Sequence, residues 1–166
     1  DTALTKPVTD LLARKGVQFL GWTEVGTVDI YGKKPFLHPK EVNGLKAAAA
    51  SNKVNSMMWE ALGANPSFIG ITEVSSAFQT GLAEVGATVI TFYFPSGLGK
   101  IANVMTRLEL YDAPGIIMMN KATYDKMPKD MQAALNRAVA RRPADLLRKE
   151  IRSFEEVLRG MHVKSG

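Results

Sequence analysis

The chain has 166 residues, 46% hydrophobic and 22% charged, with a formal net charge of +5 and no cysteine. That balance belongs to an ordinary globular chain able to bury one sizeable core, and it excludes intrinsic disorder; the missing cysteines exclude disulfides and thiolate metal sites while leaving the redox compartment open. A small positive excess is common on soluble proteins, no nucleic-acid-reading motif accompanies it, and no run approaches the roughly 20 apolar residues of a membrane span.

Asp1-Thr2-Ala3-Leu4-Thr5-Lys6 has no basic start followed by an apolar stretch, so the expectation is that a secretory signal was removed or never existed. Leu4, Val8, Leu11 and Leu12 mark one side of a helix that Gly16 ends, with Pro7 tolerable in its first turn. Val17 to Trp22 reads as a buried strand and Val25 to Tyr31 as a second extended segment. Pro35 and Pro39 punctuate a loop, and Pro39-Lys40-Glu41-Val42 reads as a short helix start. Lys46 to Ala50 is ambiguous between helix and strand, because the alanines favour helix while Gly44 and Ser51-Asn52 bound the run. Ser51-Asn52 is a cap for a helix whose apolar face is expected at Val54, Met57, Met58 and Leu62, ending at Gly63.

Phe68 to Ile71 reads as extended, followed by a helix over 72–80 capped by Thr72. Ala87 to Phe94, rich in β-branched and aromatic residues, predicts a strand; Val104 to Leu110 and Gly115 to Met119 predict two more. Asn120 is placed to cap a short helix through Lys126, and Pro128 to open a longer one with Met131, Leu135, Ala138 and Val139 on one face. Pro143 should interrupt it. Beyond, Leu147, Ile151, Phe154, Leu158 and Met161 form a continuous apolar stripe, too short for a coiled coil and expected to pack on its own lobe. The fold class is mixed α/β.

No catalytic constellation is evident. His38 and His162 lie far apart with no acidic or cysteine ligand pattern beside them, which argues against a zinc site or a serine triad. Ser96-Gly97-Leu98-Gly99-Lys100 superficially matches a phosphate loop. Phe94 stands where its first glycine belongs and Ile101 where its hydroxyl belongs, so these glycines are read as turn formers.

Several pieces occur together and in order: Gly16-Val17-Gln18-Phe19-Leu20-Gly21-Trp22, Lys34-Pro35, and Pro39 to Lys46. They continue with Glu60-Ala61-Leu62-Gly63-Ala64-Asn65-Pro66, Thr72-Glu73-Val74, Ala77-Phe78-Gln79-Thr80-Gly81, Asn120 to Pro128, and Met131-Gln132. In that order and spacing, the segment from Gly16 to about Met161 resembles the periplasmic solute receptors of tripartite (TRAP) transporters, the dicarboxylate-receptor-like family. The resemblance implies a periplasmic binding protein type II-like, two-lobed α/β fold, here lacking the N-terminal part of the first lobe. Residues 17–110 would be mostly second lobe with hinge strands, and 111–166 a returning strand and long C-terminal helices. It further implies a non-enzymatic receptor in the periplasm that binds a small organic solute without cofactor or metal, and delivers it by lobe closure to the permease subunits of a TRAP transporter. A sensing module of the same fold, controlling a signalling partner, is the alternative, because function resides in the site.

The departures from the pattern bear on the ligand. The arginine that the family sets against the ligand carboxylate is Ala48 here, and a second arginine falls near Val28. The family's aromatic before Thr72-Glu73-Val74 is Ile71, and its asparagine after the Gln79-Thr80 helix is Thr88. An ordinary dicarboxylate, or its ordinary anchoring, is therefore not expected. The candidate ligand-binding residues are Trp22, an aromatic for stacking; Glu24, if the solute is cationic; and Asn52, Thr88, Thr91 and Tyr93 as hydrogen-bonding groups.

Overall fold

A computed structural model describes residues 3–164, which form seven α-helices and five strands and divide into two compact units. Unit 1 comprises 1–25 and 114–153, and unit 2 comprises 26–113 and 154–166. The divisions fall inside strand β1 (Val17–Gly32), strand β5 (Val104–Asn120) and helix α7 (Ala144–Lys164).

Unit 2 is built on a mixed sheet of order β3-β2-β4-β1-β5, with β2 at Lys46–Ala49, β3 at Asn65–Phe68 and β4 at Val85–Val89. β2 runs parallel to β3 and β4, while β4 runs antiparallel to β1. Pro66 is tolerated in β3 because that strand lies at the sheet edge, where a missing ladder donor is harmless. Successive strand residues point to opposite faces, and the core divides accordingly. Ile30, Ala47, Ala49 and Val85 join Trp59 of α2 (Lys53–Ala61) in one buried cluster. Tyr31 and Ala48 join Phe78 of α3 (Val74–Thr80) and Tyr93 of α4 (Ile90–Tyr93) in the other.

This resolves the alanine run. Sandwiched between Trp59 and Phe78, β2 has room only for small side chains on both faces, and tertiary packing overrides the helix propensity of alanine. The cap at Asn52 forms as expected, its side chain accepting from the Asn55 backbone N–H at 2.8 Å. The expected apolar face of α2 is partly corrected: Met58 and Leu62 pack against the core as expected, but Val54 and Met57 are 79% and 55% exposed, and the buried residues of the helix are Asn55 and Trp59. Asn55 is held inward because its Oδ1 accepts the Ala50 N–H at 2.9 Å.

Other boundaries shift. β1 is one 16-residue strand rather than two segments, and β5 one 17-residue strand despite Pro114. β3 begins three residues before the predicted extended piece, and α3 starts at Val74 with Glu73, not Thr72, at the cap position. The strand expected to reach Phe94 stops at Val89 and turns into α4, a single helical turn that carries Tyr93 into the core. Gly97, at φ 73°, leads into the 3-10 turn Leu98–Lys100, so the glycine serves as the turn former anticipated.

Buried Asp29 ties three chain segments of unit 2 together. Its Oδ1 accepts the N–H groups of Leu108 and Glu109 at 2.9 and 2.8 Å, and its Oδ2 meets Arg159 Nη1 of α7 at 2.8 Å. Glu109 sits at φ 51°, in the left-handed region, which turns two successive N–H groups toward one carboxylate. Nearby, buried Glu155 of α7 accepts the Thr27 N–H at 2.6 Å, and Gly26 has φ 143° with no space for a Cβ beside the Glu155 carboxylate.

Unit 1 contains α1 (Thr5–Arg14), the first part of β1, the last part of β5, α5 (Lys121–Lys126), α6 (Lys129–Ala140) and the start of α7. Asn120 caps α5 through the Thr123 N–H, and Pro143 separates α6 from α7, both as expected from local sequence. Gly21 permits close approach of α6 to β1, because a Cβ there would stand 2.6 Å from Val139 Cγ1. The expected face of α6 is partly corrected: Leu135 and Val139 are half-buried, Met131 and Ala138 are exposed, and the residue fully inside is Gln132. Its Nε2 donates to the Tyr124 and Met127 carbonyls at 3.0 and 3.1 Å, satisfying the C-terminal end of α5. Of the α7 stripe only Leu158 is buried; Phe154 and Met161 are half exposed.

Candidate functional site

The site begins with one row of the unit 2 sheet. Tyr31 of β1 stands opposite Gly86 of β4, Gly86 opposite Ala48 of β2, and Ala48 opposite Ser67 of β3. A Cβ at Gly86 would lie 2.4 Å from both Cζ and Oη of Tyr31, so the phenol lies across β4 and only glycine accommodates it. Tyr31 is braced by Phe78 and Tyr93, with ring centroids 5.2 and 5.6 Å away.

Around this row opens a pocket of about 250 Å³. Ala48, Ala49, Ala50 and Ser51 at the end of β2 form one side, and Ala87 and Thr88 of β4 form another. Ile69 to Ile71, Val74 and Phe92 complete it with Tyr31. None of these described lining residues is charged; the hydroxyls of Tyr31, Ser51 and Thr88 are its polar side chains. Burial, and secondarily the neighbouring Tyr93, push the Tyr31 phenol well above the ordinary tyrosine range, so it is a neutral donor at any physiological pH. A larger depression of about 440 Å³ lies along one face of α1 and is lined by Lys6, Pro7, Asp10, Leu11 and Arg14. Side chains of a single exposed helix make no converging site there.

Three positions singled out from the sequence, Ala48, Ile71 and Thr88, line the pocket together, although 40 residues separate the first from the last. Thr88 is the one proposed ligand-binding residue among its lining. Asn52 lies just beyond it and is engaged as the cap of α2. Thr91 is half-buried in α4 beside the lining residue Phe92. Tyr93 is fully buried, its hydroxyl donating to the Ala102 carbonyl at 2.5 Å and its ring meeting the His162 ring at 5.1 Å. Burial pushes its pKa up to about 12. Val28, where a second arginine was anticipated, is buried opposite Val89.

Trp22 and Glu24 belong to unit 1. Trp22 donates from Nε1 to Thr5 Oγ1 at 2.9 Å and meets Phe19 edge-on. Glu24 is a buried carboxylate paired with Arg148 at 3.2 Å and Arg152 at 3.5 Å, rather than a solvated loop residue. Tyr31 was missed as a pocket residue. Its signal, a glycine three strands along the chain on which the ring can lie, exists only once the register is known.

A mixed sheet with helices on both faces and a small pocket at strand ends defines an α/β architecture with one candidate site in unit 2. Comparison with known proteins is specific. The model of bacterial extracellular solute-binding protein family 7 matches residues 1–166, and the chain belongs to that family, the TRAP-type receptors. A solute-binding protein of Albidiferax ferrireducens is 31% identical over 141 residues, covering 79% of this chain and 40% of that protein. A C4-dicarboxylate-binding periplasmic protein of Rhodobacter capsulatus is 26% identical over 135 residues, covering 81% of this chain and 40% of its own length. Among solved structures, a TRAP periplasmic solute-binding protein of Roseobacter denitrificans with bound β-D-glucuronate superposes with TM-score 0.90 at 27% identity, over 100% of this chain and 55% of that one. A Sulfitobacter receptor with bound β-D-galacturonate shares the fold at TM-score 0.91 and 23% identity, over 100% and 55% of the two chains. The chain thus spans about 40% of these curated relatives and 55% of these structures.

Proposed function

We propose that this chain is the solute-contacting part of an extracytoplasmic receptor that binds a small organic molecule and hands it to the membrane subunits of a TRAP-type permease. The observation that carries this reading is the convergence of Ala48, Ile71 and Thr88 on one pocket of about 250 Å³, in a chain of solute-receptor family 7. Relatives that bind C4-dicarboxylate, glucuronate or galacturonate set the expected scale of the solute, a small, oxygen-rich organic molecule. The same relatives make the periplasm the expected location. The role is binding without turnover: saturable, reversible, one solute per protein.

The test is isothermal titration of the complete gene product with an organic acid, sugar and amide library, followed by chromatography of the recovered solute. One-to-one binding and recovery of unchanged solute support the receptor. Conversion of the solute, or no saturable binding by any member, would sink it.

A further inference from the structure

Resting on that receptor reading, we propose that Asn55, which is buried in α2 and does not itself line the pocket, is a positioning residue: it fixes the Ala50–Ser51 wall and thereby sets how tightly a solute is held. Two walls of the unit 2 pocket start where two parallel strands stop. Ala50 is the first residue beyond β2 and Ile69 the first beyond β3, and both line the pocket. Beyond a strand's last paired residue, the position of the chain rests on the few hydrogen bonds that remain. For Ile69 the partner is backbone, the Ala49 carbonyl at 3.1 Å. For Ala50 it is a side chain, Asn55 Oδ1 at 2.9 Å.

The arrangement closes on itself. The Ala50 N–H donates to Asn55 Oδ1, the Asn55 N–H donates to Asn52 Oδ1 at 2.8 Å, and the Asn52 N–H donates back to the Ala50 carbonyl at 2.6 Å. The lining residue Ser51 lies inside this ring of bonds, between two residues whose positions are set. Asn55 is 9% exposed and shares the buried side of α2 with Trp59, which packs in one core cluster with Ala47 and Ala49. The wall is therefore tied to a helix that the core holds in place, and a wall set in advance costs a solute less ordering when it binds. An apolar side chain at position 55 would fill the same space, but it would strip the Ala50 N–H of its acceptor and release the wall.

Variants of the complete gene product separate positioning from stability. Asn55→Leu keeps the volume and removes the acceptor, while Asn55→Asp keeps an acceptor oxygen in the first turn of the helix, where a carboxylate is favoured. Leu62→Ala loosens the packing at the far end of α2 without touching the wall. With no solute present, amide exchange followed by NMR is expected to show the Ala50 amide exchanging about tenfold faster in Asn55→Leu, and at close to the parent rate in Asn55→Asp. Calorimetric titration with D-glucuronate, D-galacturonate and succinate is expected to find at least one that saturates the parent protein. Its affinity should fall about tenfold in Asn55→Leu, be largely restored in Asn55→Asp, and hold in Leu62→Ala although that variant melts lower. Unchanged affinity in Asn55→Leu, or an equal loss in Leu62→Ala, overturns the inference while the receptor reading stands. An Ala50 amide no faster in Asn55→Leu overturns the assigned tether. If none of these acids saturates the parent, the inference falls and the receptor reading goes to its own library test.

Discussion

The two compact units bury different chemistry. In unit 2 the fully buried side chains include Trp59, Tyr93, Phe78, Ile90 and Leu98, distributed over both faces of the sheet. Among the described residues of unit 1 those buried are Glu24 and Gln132, each held by polar partners, while Leu4, Leu11, Met118 and Met131 remain more than half exposed. Unit 2 is stabilised by removal of apolar surface from water, which is large and non-directional. Unit 1 depends on a few directional contacts, whose net worth is small although their loss is costly. A unit with a two-faced core can hold a pocket open against collapse, and here the pocket lies in unit 2.

The two tryptophans give a direct reading of this contrast, since Trp22 lies in unit 1 and Trp59 in unit 2. In Trp59→Phe the remaining fluorescence reports unit 1, and in Trp22→Phe it reports unit 2. The Trp22 signal should change at lower urea; coincident transitions would mean that the contrast in burial has no counterpart in stability.

The largest single effect is expected at the unit 2 core. Trp59→Ala should lower unfolding free energy by about 3–5 kcal/mol, seen in urea denaturation, because it empties the layer between α2 and β2. Asp29→Ala comes next, at about 3 kcal/mol, since it strands two backbone N–H groups and the guanidinium of Arg159, which is only 15% exposed. Asp29→Asn should recover part of that loss. Gln132→Ala in unit 1 should cost about 1–2 kcal/mol and move the Trp22 transition more than the Trp59 transition. An equal shift of both would show that unit 1 does not unfold on its own.

A last effect is invisible at neutral pH. Tyr31 and Tyr93 both have folded-state pKa values raised above the ordinary tyrosine value of about 10. The stability this contributes is fully present below pH 10 and is lost as pH rises toward the folded-state values, about 12 for Tyr93. Melting temperature against pH should fall from pH 10 upward, and the Tyr31→Phe variant should fall less steeply.

Local chemistry was legible along the chain. Asn52 and Asn120 cap helices because an asparagine oxygen reaches an N–H three residues on, a relation that needs no distant partner. Pro143 breaks α6 from α7 because its ring and missing N–H act on the adjacent turn. Three of the four positions that depart from the receptor pattern, Ala48, Ile71 and Thr88, meet in one pocket, while the fourth, Val28, is buried opposite Val89. Faces were half legible: Met58 and Leu62 pack on the core, but Val54 and Met57 do not, because α2 turns Asn55 and Trp59 inward toward the Ala50 N–H and the methyls of β2. The same competition made a helix-prone alanine run a strand and folded the β-prone residues after Val89 into a helical turn.

The sequence by itself determined the family, the mixed α/β class, the helix caps at Asn52 and Asn120 and the break at Pro143, since each is written in neighbouring residues or in the order of short segments. Only the tertiary structure decided which side chains line the pocket. That choice rests on the strand register that brings Tyr31, Gly86 and Ala48 into one row, and a register is fixed by packing between segments dozens of residues apart.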